Sequence, residues 1–266
     1  MTPKLDTAGT LERIFEMYSR QFGVLLPAAL IIYLPVAVLQ IVAGSSIILA
    51  LLAVIVALVA GTLFQGAVVQ AVRDMQDGRR DLSVGEVIAS AVPFILPLIG
   101  AGILAGIGIG VGLVLCLVPG LFLLTIWAVI APVIVVEKSG VMNAFSRSQK
   151  LVKDNGWRTF GVLIVMFLIT FLAQQILIVI GAGVGGEIGR GIGYLIAATI
   201  TAPLAALTAA TLYFTLVGLK EGGQVMAPAA APADPPYPPV PPAGGPPAGG
   251  PPQAPPPPEG PSPFGQ

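Results

Sequence analysis

Four stretches of this 266-residue chain contain no Asp, Glu, Lys or Arg: 21–72, 87–136, 159–186 and 191–219, which are 52, 50, 28 and 29 residues long. Soluble chains carry roughly 25% charged residues, so charge-free runs of this length do not fit an ordinary water-facing surface. A helix that crosses a bilayer needs about 20 apolar residues. The four stretches therefore hold two, two, one and one spans, six in all. The expected fold is an all-α polytopic membrane protein built as three hairpins. Its spans fall at about 22–43, 47–71, 90–108, 113–136, 159–180 and 192–218 within a domain of residues 1–226. Pro27, Pro35, Pro93, Pro97, Pro119, Pro132 and Pro203 lie in or beside these runs. Membrane helices tolerate them because neighbouring groups re-satisfy the freed carbonyls, so kinks are expected.

Lys and Arg placement orients such a bundle. With six spans, one side holds twelve: Lys4, Arg13, Arg20, Arg73, Arg79, Arg80, Lys138, Arg147, Lys150, Lys153, Arg158 and Lys220. Arg190 alone falls opposite. Both termini are thus expected on the cytoplasmic side of a cytoplasmic membrane. On that side a short amphipathic segment precedes each pair of spans. Leu11, Ile14, Phe15, Tyr18 and Phe22 keep one helical face, and Ser83 to Glu86 reads as a capping box ahead of Val84, Val87, Ile88 and Ala91. The third segment places Val141, Ala144, Phe145, Leu151 and Val152 opposite Asn143, Arg147, Lys150 and Lys153. Such helices either lie at the interface with basic faces on anionic head groups or pack as ordinary loop helices on the bundle.

Residues 227–266 contain 18 of the chain's 26 prolines, with Gly and Ala filling most other positions. They read as a disordered polyproline-type cytoplasmic tail, a possible docking segment for a protein partner. No flanking Arg accompanies its PxxP spacings. The neutral total charge divides into +2 over 1–226 (13 basic, 11 acidic) and −2 in the tail from Asp234 and Glu259. No concentrated basic face for nucleic acid results. With no histidine, His-based catalysis and His metal sites are excluded. The single Cys116 allows no intrachain disulfide and is expected as a small buried hydrophobe inside a span. No cofactor and no cleavable signal peptide are expected.

Residues 181–186 match GxGxxG, but that motif cradles pyrophosphate only between a strand and a helix. Here it ends an apolar span and reads as a turn. Gly102, Gly106 and Gly110 recur every four residues and are expected to form a helix-packing face. Gln40, Gln65, Gln70, Gln174, Gln175, Thr199 and Thr201 are expected to hydrogen-bond between helices. Proton relays place ionisable groups near the midplane, and these spans contain none.

The stretch from Pro119-Gly120 to Trp157-Arg158 is the most informative. It contains Trp127, Ala131-Pro132-Val133-Ile134-Val135-Val136-Glu137, Gly140-Val141, Ala144, Arg147-Ser148 and Leu151. It resembles uncharacterised integral membrane proteins grouped with the membrane domain of glycerophosphoryl diester phosphodiesterases. In that family a Pro-Gly, a proline near a span's end, a glutamate and an Ala-x-x-Arg-Ser helix recur at similar spacing. The resemblance is sharpest over about 40 residues, and its six-span plan extends loosely over 1–220. The proline-rich stretch stands where a catalytic domain would follow, so the hydrolytic activity is not carried over. Independently of the family, Glu137 ends a helix, where the macrodipole disfavours a carboxylate. Compensation comes either from the amides opening the 141–152 helix or from Arg147, and Glu137 is expected to fasten that helix to the fourth span. Trp157 and Arg158 suit an interface anchor.

Glu137, Arg147, Lys150, Lys153, Trp157 and Arg158 thus form the candidate cytoplasmic-face structural or lipid-contact site. The expected function is a non-catalytic membrane scaffold or regulatory component contacting lipids. The alternative is a transporter or channel for a small or lipid-like solute.

Overall fold

The computed structural model describes residues 4–44, 46–76 and 83–222. The expected tail (227–266) and the loop carrying Arg79 and Arg80 lie outside the described residues. Every regular element within them is helical. Asp6 caps α1 (Thr7–Ala43), its carboxylate accepting from the Ala8 N–H at 3.1 Å. This helix runs unbroken through Pro27 and Pro35, so the amphipathic Leu11–Phe22 segment continues into the first span. No turn signal separates the two. At 37 residues, or about 55 Å, α1 exceeds the roughly 30 Å hydrocarbon layer.

After α2 (Ile47–Gln76), the capping box forms as read. The Ser83 N–H donates to Glu86 at 2.8 Å, and the Glu86 N–H donates to the Ser83 hydroxyl at 3.3 Å. These reciprocal bonds satisfy two of the free amides at the helix start. They start α3 (Val84–Ala91); Pro93 then forces a 3₁₀ turn at Val92–Phe94 before α4 (Ile95–Leu115). The chain reverses at Cys116, a single extended residue, into α5 (Leu117–Ile126). Two expectations are corrected here. The helix expected to end near residue 108 continues to Leu115, and Cys116 is exposed at the turn rather than buried. The turn is tight because α4 and α5 touch backbone to backbone. A Cβ on Gly112 would stand 3.0 Å from the Gly120 Cα, and one on Gly120 would stand 2.6 Å from the Leu113 N.

The packing glycines of α4 are therefore Gly112 and also Gly108, which lies under the Trp127 ring. Gly102, Gly106 and Gly110 meet nothing within 4 Å, so the expected face makes no contact among the described residues. Spacing placed the three on one face correctly, but which face meets a neighbour depends on where α5 returns. The expected interhelical role of Thr201 also changes: its hydroxyl donates to Ala197 in its own helix at 2.8 Å. That bond satisfies the hydroxyl without a partner helix.

The segment expected as the fourth span (113–136) is broken at Trp127–Val129, giving α6 (Ile130–Glu137), followed by the short α7 (Val141–Val152). The remaining chain is α8 (Gly156–Glu221), whose helical geometry fails at Gly185 (φ −134°, ψ 18°) and Gly186 (φ 57°, ψ −132°). The left-handed φ at Gly186 is open to glycine at no steric cost. Beyond the kink the helix folds back, and Gly181 and Gly189 stand in backbone contact while Gly193 lies on Leu177. In a straight helix residues 177 and 193 would be about 24 Å apart. The GxGxxG stretch is thus a reversal, as expected.

Among the described residues, five helical segments are long and apolar enough to cross a membrane: Thr7–Ala43, Ile47–Arg73, Val84–Leu115, Leu117–Glu137 and Gly156–Glu221. Their interior contacts gather around Phe64, Val68, Val133, Leu207 and Leu216. Their outer faces expose Ile47, Ile48, Leu51, Ile55 and Leu58 in a continuous run along α2. Such a surface is unfavourable in water and normal in lipid.

Gly189→Ala should destabilise the detergent-solubilised protein by about 1–3 kcal/mol, because its Cβ meets the Gly181 carbonyl. Gly106→Ala should leave stability unchanged or raise it by up to about 1 kcal/mol. Thermal unfolding of both variants checks the pair. Equal destabilisation would contradict the packing described.

Candidate functional site

The break after α5 creates a specific requirement. The Ile130 N–H turns back to the Trp127 carbonyl at 3.3 Å, so the Ile126 carbonyl loses its ordinary helical donor. A buried carbonyl without a partner costs roughly 1–3 kcal/mol. The Ser148 hydroxyl of α7 supplies the missing bond at 2.8 Å, itself fully buried. Beside it Phe145 meets Trp127 edge to face with ring centroids 4.9 Å apart, and Ala144 is buried. The apolar face of α7 is thereby seated on the broken end of the α5–α6 segment. Ala144, Arg147 and Ser148, read as one motif, all face contacts.

With Ser148 fixed, Arg147 lies beside the end of α6. Its Nε donates to both Glu137 carboxylate oxygens at 2.9 and 3.1 Å, and its Nη2 donates to Glu221 at the end of α8. Tyr213, only 3% exposed, donates its hydroxyl to Glu137 Oε1 at 3.0 Å. Of the two compensations expected for Glu137, Arg147 is the one realised, and Tyr213 adds a second donor. Burial opposes the Arg147 charge, but hydrogen bonds and charges from Glu137 and Glu221 outweigh it and raise its pKa above the usual value. Next to this network Lys220 pairs with Asp154 at 2.9 Å and donates to the Lys150 carbonyl. The Lys220 ammonium, by hydrogen bond and charge, holds the Asp154 carboxyl below its ordinary 3.8. This depressed carboxyl stabilises the fold above its unfolded value, and the contribution disappears as pH falls through the lower folded value.

The remaining candidates have different roles. Lys150 and Lys153 are exposed on the outer face of α7, and Trp157 is 87% exposed with Phe160 against its ring. Arg158 donates to the Leu5 carbonyl at 2.6 Å, while the Leu5 N–H donates to the Asn155 side chain at 3.0 Å. Arg158 therefore fixes the start of α1 together with Asn155. Sequence reasoning missed Tyr213, Glu221, Asn155 and the acceptor of Ser148. Ser148 alone left a signal: a polar residue at i+4 from Ala144 on an apolar helix face. Lys138 is the single positive-φ residue other than glycine among the described residues (φ 50°, ψ 35°). A non-glycine side chain there costs about 1–2 kcal/mol. No group of His, Cys, Asp or Glu among the described residues could hold a metal ion.

No protein-family profile and no solved structure matches the chain. A UPF0259 membrane protein from Pectobacterium carotovorum subsp. carotovorum (strain PC1) is 36% identical over 118 residues. The match covers 44% of this chain and 46% of that protein, so the chain aligns with less than half of its relative's length. This similarity to a UPF0259 membrane protein gives no support to the phosphodiesterase membrane-domain resemblance. Together with the long apolar helices, it makes the chain a multi-pass membrane protein.

Ser148→Ala should lower stability in detergent by about 1–3 kcal/mol by leaving the Ile126 carbonyl unpaired. Ser146→Ala, at an exposed position of the same helix, should change it by less than about 0.5 kcal/mol. In a double-mutant cycle, Glu137→Gln and Arg147→Gln should couple by about 1 kcal/mol, as suits a partly exposed pair. Additive losses would mean that the ion pair does not fasten α7.

Proposed function

We propose that the protein is a six-span, non-catalytic scaffold of the cytoplasmic membrane that holds an interfacial helix against anionic lipid head groups. Its six spans would form three hairpins, α1 with α2, α3–α4 with α5–α6, and the two arms of α8. The kink at Gly185 and Gly186 and the return contacts of Gly181 and Gly193 support counting α8 as two spans. Under that count both termini and α7 share the side that holds twelve of the thirteen Lys and Arg residues.

The observation that carries the role is the way α7 is held. Arg147 is committed to Glu137 and Glu221, and Ser148 to Ile126, which fixes the helix from its inner face. Lys150 and Lys153 remain exposed on the outer face, beside the exposed apolar side chains of Met142 and Trp157. Basic groups flanked by apolar anchors suit the boundary between head groups and acyl chains. The proline-rich 227–266 segment would then offer a protein partner a site next to the membrane.

Two measurements test this reading. In sealed vesicles, a membrane-impermeant thiol reagent should modify native Cys116 and Gly185→Cys from one side. Gly185→Cys is read in a Cys116→Ala background, and Lys4→Cys in the same background should be modified only from the other side. Labelling of Lys4→Cys and Gly185→Cys from the same side would refute the six-span topology. Separately, Lys150→Glu with Lys153→Glu should lower the anionic lipid retained per purified protein roughly thirtyfold, at about 1 kcal/mol per lysine. An unchanged lipid ratio in a normally folded variant would remove the head-group role.

A further inference from the structure

On the same end of the bundle as α7, a cleft of about 560 Å³ opens between α2, the end of α3, the 3₁₀ turn, the start of α4 and the end of α6. It is distinct from the outer face of α7. Its polar lining includes Arg73, Lys138, Gln70 and Ser139, and its apolar lining includes Phe94 and Ile134. That volume is in the range of small-molecule sites. Gly66 allows the approach of α2 that forms one wall: a Cβ there would meet Leu98 at 3.1 Å and Ala91 at 3.3 Å.

Three features of this cleft lack an internal explanation. First, neither Arg73 nor Lys138 has an ion-pair partner among the described residues, although every acidic group of the neighbouring network is engaged. Second, the Ser139 hydroxyl oxygen is buried and has no hydrogen-bond partner among the described residues. Of the five buried hydroxyls without a partner among the described residues, Ser139 is the one that lines the cleft, where it can donate. Third, Lys138 occupies a left-handed conformation that glycine would adopt without strain. This left-handed turn at the α6 C-cap places Lys138 on the rim of the cleft.

We infer that this cleft is a binding site for a phosphate-bearing head group, with Arg73 and Lys138 neutralising the phosphate and Ser139 and Gln70 donating to its oxygens. Arginine's fork and lysine's point charge are both suited to phosphate oxygens. The lipid form is favoured over free phosphate by the apolar wall of Phe94 and Ile134. It is favoured also by neighbouring Val92 and Leu96, which are 55% and 81% exposed where acyl chains would run. The inference rests on the head-group reading of the protein's role but assigns it a separate, stoichiometric site.

Native mass spectrometry of the full chain in detergent, titrated with dioctanoyl phosphatidylglycerol, tests it. One lipid per chain should bind saturably. Arg73→Gln and Lys138→Gly should each weaken binding at least tenfold, and Arg73→Lys should restore most of it. Lys138→Gly places glycine in the conformation it prefers, so its folding is protected, and far-UV circular dichroism confirms the fold of each variant. Lys150→Gln with Lys153→Gln should leave this single site intact. Displacement by millimolar inorganic phosphate would assign the site to free phosphate; resistance to it would assign the site to the lipid. Wild-type binding by folded Arg73→Gln and Lys138→Gly would overturn the cleft. If only the Lys150 and Lys153 variant then lost lipid, the α7 surface would stand without it. The reverse pattern would keep the cleft and remove the α7 surface.

Discussion

A bilayer offers no water to a backbone carbonyl, so each break in a membrane helix must be satisfied from within the protein. The break at Trp127–Val129 sets much of this structure. It frees the Ile126 carbonyl, which is paired instead by the Ser148 hydroxyl from α7. That bond fixes the axial position of α7, and helical geometry then places Arg147 one residue away at the end of α6. Glu137, Glu221 and Tyr213 converge on the same guanidinium or on its partner carboxylate. The last turn of α8 is thereby tied to the middle of the chain. A backbone requirement inside the membrane thus organises the charged surface outside it.

Close backbone approach is the second organising feature. Within lipid there is no hydrophobic drive to associate helices, so contact area from small residues takes its place. The chain applies this at two reversals, Gly112 with Gly120 around Cys116 and Gly181 with Gly189 around the α8 kink. Gly191, placed on Ile41 and Ala37, extends the same device to α1. The outward-facing glycines of α4 have no such role among the described residues.

The legible part of the candidate site was its chemistry. Glu137 at a helix end needed a cation, and the amphipathic pattern of 141–152 placed Arg147 near it. Lys150 and Lys153 could be assigned to the solvent face by periodicity alone. Tyr213 and Glu221 could not be found this way, because they sit 76 and 74 residues from their partners in an apolar segment with no distinguishing pattern. Arg158 was read as an anchor, yet it holds Leu5, which lies 153 residues earlier in the chain. The cleft around Arg73 and Lys138 joins residues from five elements, and no local spacing announces it.

Charge-free runs much longer than a bilayer is thick determined, by themselves, that this chain is helical and membrane-embedded. Lengths and desolvation costs act on each segment separately, and a linear sequence states them fully. Which glycines touch, where the 113–136 segment breaks, and which side chain answers each freed carbonyl were decided only in three dimensions. Those outcomes depend on the return path of later helices. The unpaired cations of the cleft belong to the same category: their residue types were visible in the sequence, but their convergence was not.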